Sequence, residues 1–389
     1  MGSLFTELAR QAPVHARREV ETYIREVPEF TALDRDPRAR TEALEYAVWF
    51  RRRTVELAPD NGELTDRDLD YIASMGESRA GAGMSFASRQ QVLHLHTTLM
   101  LREIDEATRS LSAQGPDELM RMMGWFAPQG ERGIDAYCRG FVRVLRRRMP
   151  YVAQVALLAK ALLSGDSMAE ELARVAGIEL ASPCAVLVIR VPERPGDERD
   201  LESEVEALVK AHRVPAFWRP GRARRGGELI AVLPAGLPAD SVVHDFAETL
   251  GHPCAAGTAT APDLTDALDR ARRISRTAPL HRTPARLRTR TFADVFVELA
   301  VADAPFTDTW LQEVARRLER GPDLLPTLDA YYHCDMNRTR AATTLTIHPR
   351  TLDYRLHRVR ELTTLDPAST QGVRILSTVV NRKLSGAWD

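Results

Sequence analysis

Lysine is almost missing from this chain. Of 389 residues only Lys160, Lys210 and Lys383 are lysine, so nearly all of the 53 positive charges are arginine. A GC-rich genome accounts for such a bias, and arginine is in any case the better bidentate donor to planar oxyanions and base edges. Cysteine is also scarce. Cys138, Cys184, Cys254 and Cys334 are too far apart for a Cys-x-x-Cys knuckle or a disulfide framework, which points to a reduced cytoplasm. No apolar run reaches the roughly 18 residues that a membrane-spanning helix needs, and Met1–Arg10 lacks a long apolar core with a cleavage site. The expectation is a cytoplasmic protein with no membrane partner. An excess of either charge sign is absent as well, since 53 Lys and Arg against 54 Asp and Glu leave a net charge of −1. Any attraction to nucleic acid must therefore come from local clusters. A composition of 44% hydrophobic and 28% charged residues shows no disorder-type bias, and the length suffices for two or three cores.

The most informative stretch that is present runs from Asn337 to Leu362 and reads as two short helices across a tight turn. Asn337 suits an N-cap, and Ala341, Ala342 and Leu345 follow as one apolar stripe whose small residues permit close helix crossing. His348 suits the next cap, with Pro349 at the first helical position, where a missing N–H costs nothing. In this second helix Leu352, Leu356 and Val359 recur at i, i+4 and i+7 and must face inward. The outward face then carries Arg350, Tyr354, His357 and Arg358, with Thr351 and Arg355 on its flanks. Guanidinium groups can take guanine O6 and N7 or hold phosphates, and hydroxyls can donate to phosphate. Between residues 335 and 362 six arginines stand against Asp335, Asp353 and Glu361, a local positive excess. Asn337 and Arg338, at the start of the first helix, complete the candidate DNA-binding set. A helical hairpin with a solvated charged face, or one used for protein contact, is the competing reading.

At these residues the chain resembles the C-terminal domain of the PucR family of bacterial transcriptional regulators. The family pattern is a Leu-rich helix, an Asn-capped helix with paired alanines, then a His-x-x-Thr-Leu-x-Tyr-Arg-Leu helix. Here these parts are Leu324–His333, Ala341 with Ala342, and His348–Leu356. The resemblance implies an all-α helix-turn-helix that binds operator DNA. One departure is Asp353, where a basic or polar residue is usual; near Arg350 and His357 on the helix surface it would weaken phosphate attraction.

Residues 1–150 show helical periodicity, with segments at 39–57, 66–75, 90–110 and 133–149 separated by Pro59–Gly62, Gly81–Gly83 and Gly115-Pro116, as in a helical bundle. The stretch Glu77–His96 resembles the RsbRD-like helical domain that precedes some PucR-type regulators. His94 and His96, at i and i+2, point about 200° apart and cannot chelate one ion together. A phospho-accepting histidine or a histidine without a task are both open there. Trp49, Arg51, Arg52 and Arg53 could bind an anion or form a charged solvent face.

From residue 152 helices alternate with strand-like runs at 184–191, 214–218, 229–233 and 254–257, the pattern of an α/β domain. The order resembles the GGDEF-like middle domain of PucR and CdaR-type regulators, with Arg225–Pro234 where a nucleotide-cyclase signature would fall. Gly227 stands where the first acid belongs and Leu229 where the aromatic does, leaving Glu228, expected as a surface residue at a strand edge, as the only acid. The run Ala185–Val191 lacks a metal-holding aspartate. Phosphoryl transfer without metal carboxylates cannot neutralise two triphosphates. The expectation is a degenerate scaffold for relay, dimerisation or effector binding, with no catalytic residue, no metal site and no cofactor. Arg270–Arg290 carries eight arginines and no acid. It reads either as a DNA-backbone contact through Arg282, Arg286 and Arg288 or as a helix end followed by a solvated linker.

Taken together these readings predict a multidomain, mainly α protein. A helical sensor or signalling domain (1–150) precedes a degenerate GGDEF-like α/β domain (151–290) and an all-α helix-turn-helix domain (291–389). The expected function is a non-enzymatic transcriptional regulator of the PucR type. It would bind double-stranded operator DNA as a homodimer or higher oligomer and answer an unidentified small-molecule or protein effector. A partner-switching signalling protein and a cyclic-dinucleotide synthase or receptor are the rivals.

Overall fold

The computed structural model describes residues 3–109, 115–180, 183–192, 201–221, 226–234, 236–282 and 286–388. Ser110 and Arg225, which bound segments read above, lie outside these. The chain forms two compact units, residues up to 154 with Glu170–Val175, and residues 155–169 with 176–389.

The first unit is helical. Its elements are α1 (Leu4–Glu26), α2 (Pro37–Leu57), α3 (Asp66–Gly81), α4 (Phe86–Arg109) and α5 (Gly115–Arg148). Local chemistry sets their starts. Ser3 caps α1, Asp36 with Pro37 starts α2, and a capping box of Thr65 and Asp68 starts α3. The break expected at Gly115-Pro116 is the beginning of α5, where proline is tolerated in a first turn. α1 packs on α2 and α4, and α3 on α5. In the α3–α5 crossing a Cβ added at Gly76 would strike the Tyr137 carbonyl, and one at Gly140 the Ala73 carbonyl, so the backbones touch where glycine leaves room.

Arg51 is no solvent-face residue. It is buried and donates to Glu19 and Glu103, while His15 and His96 approach the same two carboxylates at 3.1 and 2.7 Å. Burial alone would raise the pKa of both acids. For Glu19 the charges of His96 and Arg51 outweigh it, for Glu103 the hydrogen bonds of His15 and Arg51 do, and both stay below the usual carboxylate range.

The second unit begins with α6 (Tyr151–Leu163) and α7 (Met168–Ala176), each of which also contributes residues to the first. Then come β1 (Cys184–Val191), α8 (Glu202–His212), β2 (Ala216–Pro220), β3 (Gly227–Pro234), α9 (Ala239–Leu250), β4 (Ala255–Ala259), α10 (Leu264–Thr277) and β5 (Thr289–Arg290). The sheet order is β2-β3-β1-β4-β5, antiparallel except for the β4–β5 pair. Val186 and Val188 of β1 pack with Ala267, Leu268 and Ala271 of α10. Leu187 and Ile189 point the other way by the two-residue period and are equally buried, so both faces of the sheet are covered.

α11 (Phe292–Ala302), α12 (Pro305–Leu318), α13 (Leu324–His333), α14 (Arg338–Thr344), α15 (Pro349–Thr363) and α16 (Thr370–Leu384) complete the chain. Leu328, Leu352, Val359, Leu376 and Val379 form the centre of their shared core. The described residues of the arginine-rich segment 270–290 do not form a solvated linker. Its first four arginines sit on α10, Leu280 donates its N–H to the Leu384 carbonyl, Leu287 is buried, and Thr289–Arg290 joins the sheet. Among the described residues no helix is long and apolar enough to cross a membrane.

Candidate nucleic-acid interface

The two helices of the motif form as their residues dictate. Asn337 Oδ1 accepts the Arg340 N–H at 3.0 Å and starts α14, and His348 Nδ1 accepts the Arg350 N–H at 3.2 Å and starts α15. Between them Thr346 takes a positive φ of 56°, and the Ile347 N–H bonds back to the Ala342 carbonyl. Ala341, Ala342, Leu352 and Val359 are fully buried and Leu356 nearly so, which fixes the face that α15 turns outward.

That face holds Arg350, Thr351, Tyr354 and His357 in the open, with Arg358 half-exposed beside them and Tyr354 64% exposed. Among the described residues Arg350 has no carboxylate partner, so its guanidinium is available on the outward face of α15. Arg358 donates to Glu361 at 2.7 Å, and His357 lies 3.3 Å from the same carboxylate. The Arg358 hydrogen bond, with charge from both neighbours, holds the Glu361 carboxyl below its ordinary value. Arg355 departs from the flank expected of it. Its side chain is only 16% exposed, donates to Asp323 at 2.7 Å and Thr327 at 3.3 Å, and so braces α15 against the start of α13. Asp353 lies 3.4 Å from Arg338 rather than being engaged by Arg350 or His357, joining the starts of α14 and α15. Asn337 is exposed, but its side-chain oxygen is committed to the cap.

The three arginines read as backbone contacts are not alike. Arg282 and Arg288 are exposed, whereas Arg286 is held at 3.0 Å by Asp329 of α13. Sequence reasoning also missed a half-buried arginine. Arg190 of β1 donates to the Ser275 carbonyl at 3.1 Å and to the Ser385 carbonyl, just past α16, at 2.9 Å. Burial, with Arg276 nearby and Glu228 only partly offsetting, lowers its pKa to about 10. No local pattern marks such a residue, because its partners are 85 and 195 positions away.

Glu228 faces Arg190 across the β1–β3 ladder and accepts from Arg272 of α10 at 2.9 Å. It is thus neither at a sheet edge nor on the surface, since β3 lies between β2 and β1 and the carboxylate is 14% exposed. The lone acid of the degenerate signature is part of the packing of α10 on the sheet.

A capped helix pair with a cationic outer face, joined to an α/β domain, defines a helix-turn-helix protein. Residues 324–378 match the PucR C-terminal helix-turn-helix domain, and residues 163–278 match the GGDEF-like domain. In domain content the chain thus carries the GGDEF-like and PucR helix-turn-helix domains that its sequence led us to expect. Among solved structures it is similar to the "Regulator of Polyketide Synthase Expression from Bifidobacterium adolescentis". The identity is 19% over 60% of this chain and 94% of that one, and the TM-score of 0.28 is too low to equate the two folds. No curated protein matches the chain.

Proposed function

We propose that this regulator binds operator DNA through α15, with Arg350, Thr351, Tyr354, His357 and Arg358 reading or gripping the duplex and Arg338 holding the adjacent backbone. The observation that carries the reading is the unpaired guanidinium of Arg350 on the outward face of a helix whose opposite face is wholly buried. A single helix-turn-helix offers few base contacts, so a homodimer on half-sites about one helical turn apart, or a multiple of it, is part of the proposal. Residues 1–150 act as a helical sensor or signalling domain, 151–290 as a GGDEF-like relay without turnover, and 291–389 as the DNA-binding domain, all in the cytoplasm.

The test is operator binding by Arg350→Ala after genome-wide recovery of bound DNA has defined the operator. Loss of one bidentate base contact costs about 1–3 kcal/mol, so specific affinity should fall by roughly five- to 150-fold with the fold unchanged. Unaltered affinity would sink the assignment of α15 as the reading helix. A uniform fall for all sequences would make Arg350 a phosphate contact.

A further inference from the structure

A cleft of the second unit lies where the GGDEF-like part meets the helix that leads into the DNA-binding part. Its volume is about 770 Å³, within the range of small-molecule sites. Ala185 of β1, Ala259 of β4, Ile274 of α10 and Leu299 of α11 supply apolar walls, and Phe292, 65% exposed, stands at the rim. Arg270 and Arg273 line the same space together with Thr258, whose hydroxyl donates to the Val186 carbonyl at 3.1 Å, and Thr260.

The arginines are available. Arg270 has no ion-pair partner among the described residues, and Arg273 meets only Asp303 at 2.7 Å, in a pair whose side chains are 60% and 69% exposed and therefore weak. An exposed Phe beside two such arginines suits an anion that also carries an apolar body, since the guanidinium fork takes a planar or tetrahedral oxyanion and the ring covers the rest. The cleft is not the degenerate cyclase position. Ala185 and Ala259 lie by the start of β1, whereas Glu228 faces Arg190 near its end.

We propose that this cleft is an effector site for a small organic oxyanion, a carboxylate or phosphate monoester with an aromatic-sized apolar body. Binding there bridges α10 to α11, which already meet through Ile274, Val295 and Leu299. From α11 the contact continues to α16, where Asn381 donates to Glu298 at 2.7 Å. The cleft thus joins the sheet of the GGDEF-like part to the helices that hold α15. This deepens the reading of the chain as a signal-responsive regulator and rests on it for its consequence, though not for the binding itself.

The test uses the full chain and 8-anilinonaphthalene-1-sulfonate, an aromatic oxyanion that fluoresces when shielded from water, with benzoate, phenyl phosphate and inorganic phosphate as competitors. Saturable binding is expected. Arg270→Gln with Arg273→Gln should weaken it at least about ten-fold, as loss of charge-assisted hydrogen bonds implies. Ala293→Trp, at an exposed position on the cleft wall, should block it, and Trp310→Ala outside the cleft should leave it unchanged. Displacement by benzoate or by phenyl phosphate identifies the anion class. Displacement by inorganic phosphate as effective as by either aromatic would overturn the apolar half of the proposal. The site itself is overturned by lack of saturable binding, or by binding that both cleft variants leave intact. It is equally overturned if those variants alter only the sedimentation of the protein, for then a second copy fills the cleft. Operator affinity is measured separately with and without benzoate. Failure to bind DNA under any condition sinks the regulator reading and leaves the fluorescence result standing.

Discussion

Individual side chains on α15 differ in how far they are already committed. Arg350 is uncommitted, Arg358 and His357 share Glu361, and Arg355 is turned back onto Asp323. Glu361 therefore subtracts from the field that this face offers to phosphate. Glu361→Gln is expected to raise affinity for operator and unrelated duplex alike, by a factor of about 1.5 to 5, the range of an exposed ion pair. Titration of the variant against both DNAs at fixed salt checks this, and selective strengthening of the operator alone would place Glu361 at a base edge instead. The residues of the outward face were legible in the sequence because one helical period sorts them from Leu352, Leu356 and Val359. Arg355 was not, because its partner Asp323 lies 32 residues earlier.

Elements in the first unit pack through two features of opposite chemistry. At the α3–α5 crossing, glycine permits backbone contact that any side chain would prevent. In an open helix Gly→Ala stabilises by up to about 1 kcal/mol. Gly140→Ala is expected to do the reverse and lower the midpoint of denaturant unfolding of this unit, while Gly130→Ala, where an added Cβ meets nothing, should raise or keep it. Equal effects at both positions would show that the crossing tolerates separation. The second feature is the buried group around Arg51. Removing one member of a buried ion pair typically costs about 3–5 kcal/mol, so Arg51→Ala should unfold the bundle under mild denaturant. The pH dependence follows from the signs. Glu19 and Glu103 have folded-state pKa values below their unfolded ones, so their contribution is fully present above about pH 4.3 and is lost as pH falls through the folded values. Circular dichroism of the full chain from pH 7 to 3 should show helix loss setting in below that point; stability that does not change on acidification would contradict the assignment.

For the molecule as a whole, charge placement matters more than charge total. A net charge of −1 conceals an arginine-rich segment that is structurally divided, with Arg286 held by Asp329 and Arg282 and Arg288 exposed. If the exposed pair touches DNA, replacing Arg282 and Arg288 by Gln should flatten the plot of log K against log salt by about 0.9 per lost phosphate contact, with operator preference kept. A slope equal to the parent's would confine the electrostatic attraction to α14 and α15. The GGDEF-like and helix-turn-helix parts share one compact unit, tied by Arg190 to Ser385, Leu280 to Leu384 and Arg286 to Asp329. A change in one part thereby has a physical route to the other.

What the amino-acid sequence determined unaided is whatever depends on neighbours a few residues apart. The caps at Asn337 and His348, the buried stripe of α15, the alternation of strands and helices from β1 to α10, and the loss of acids from the cyclase signature are all of this kind. The first three rest on a period of two or 3.6 residues or on a side chain bonding its own backbone, and the last on the resemblance to a nucleotide-cyclase signature. Tertiary structure alone decided that Arg51 is buried, that Glu228 and Arg190 lie inside the α10–sheet contact, that Leu280, Leu287 and Thr289–Arg290 are packed, and that Arg270, Arg273 and Phe292 line one cleft with apolar walls. The physical reason is the same throughout: a charge's surroundings are set by groups far away in the chain, and local sequence carries no record of which distant carboxylate or carbonyl will receive it.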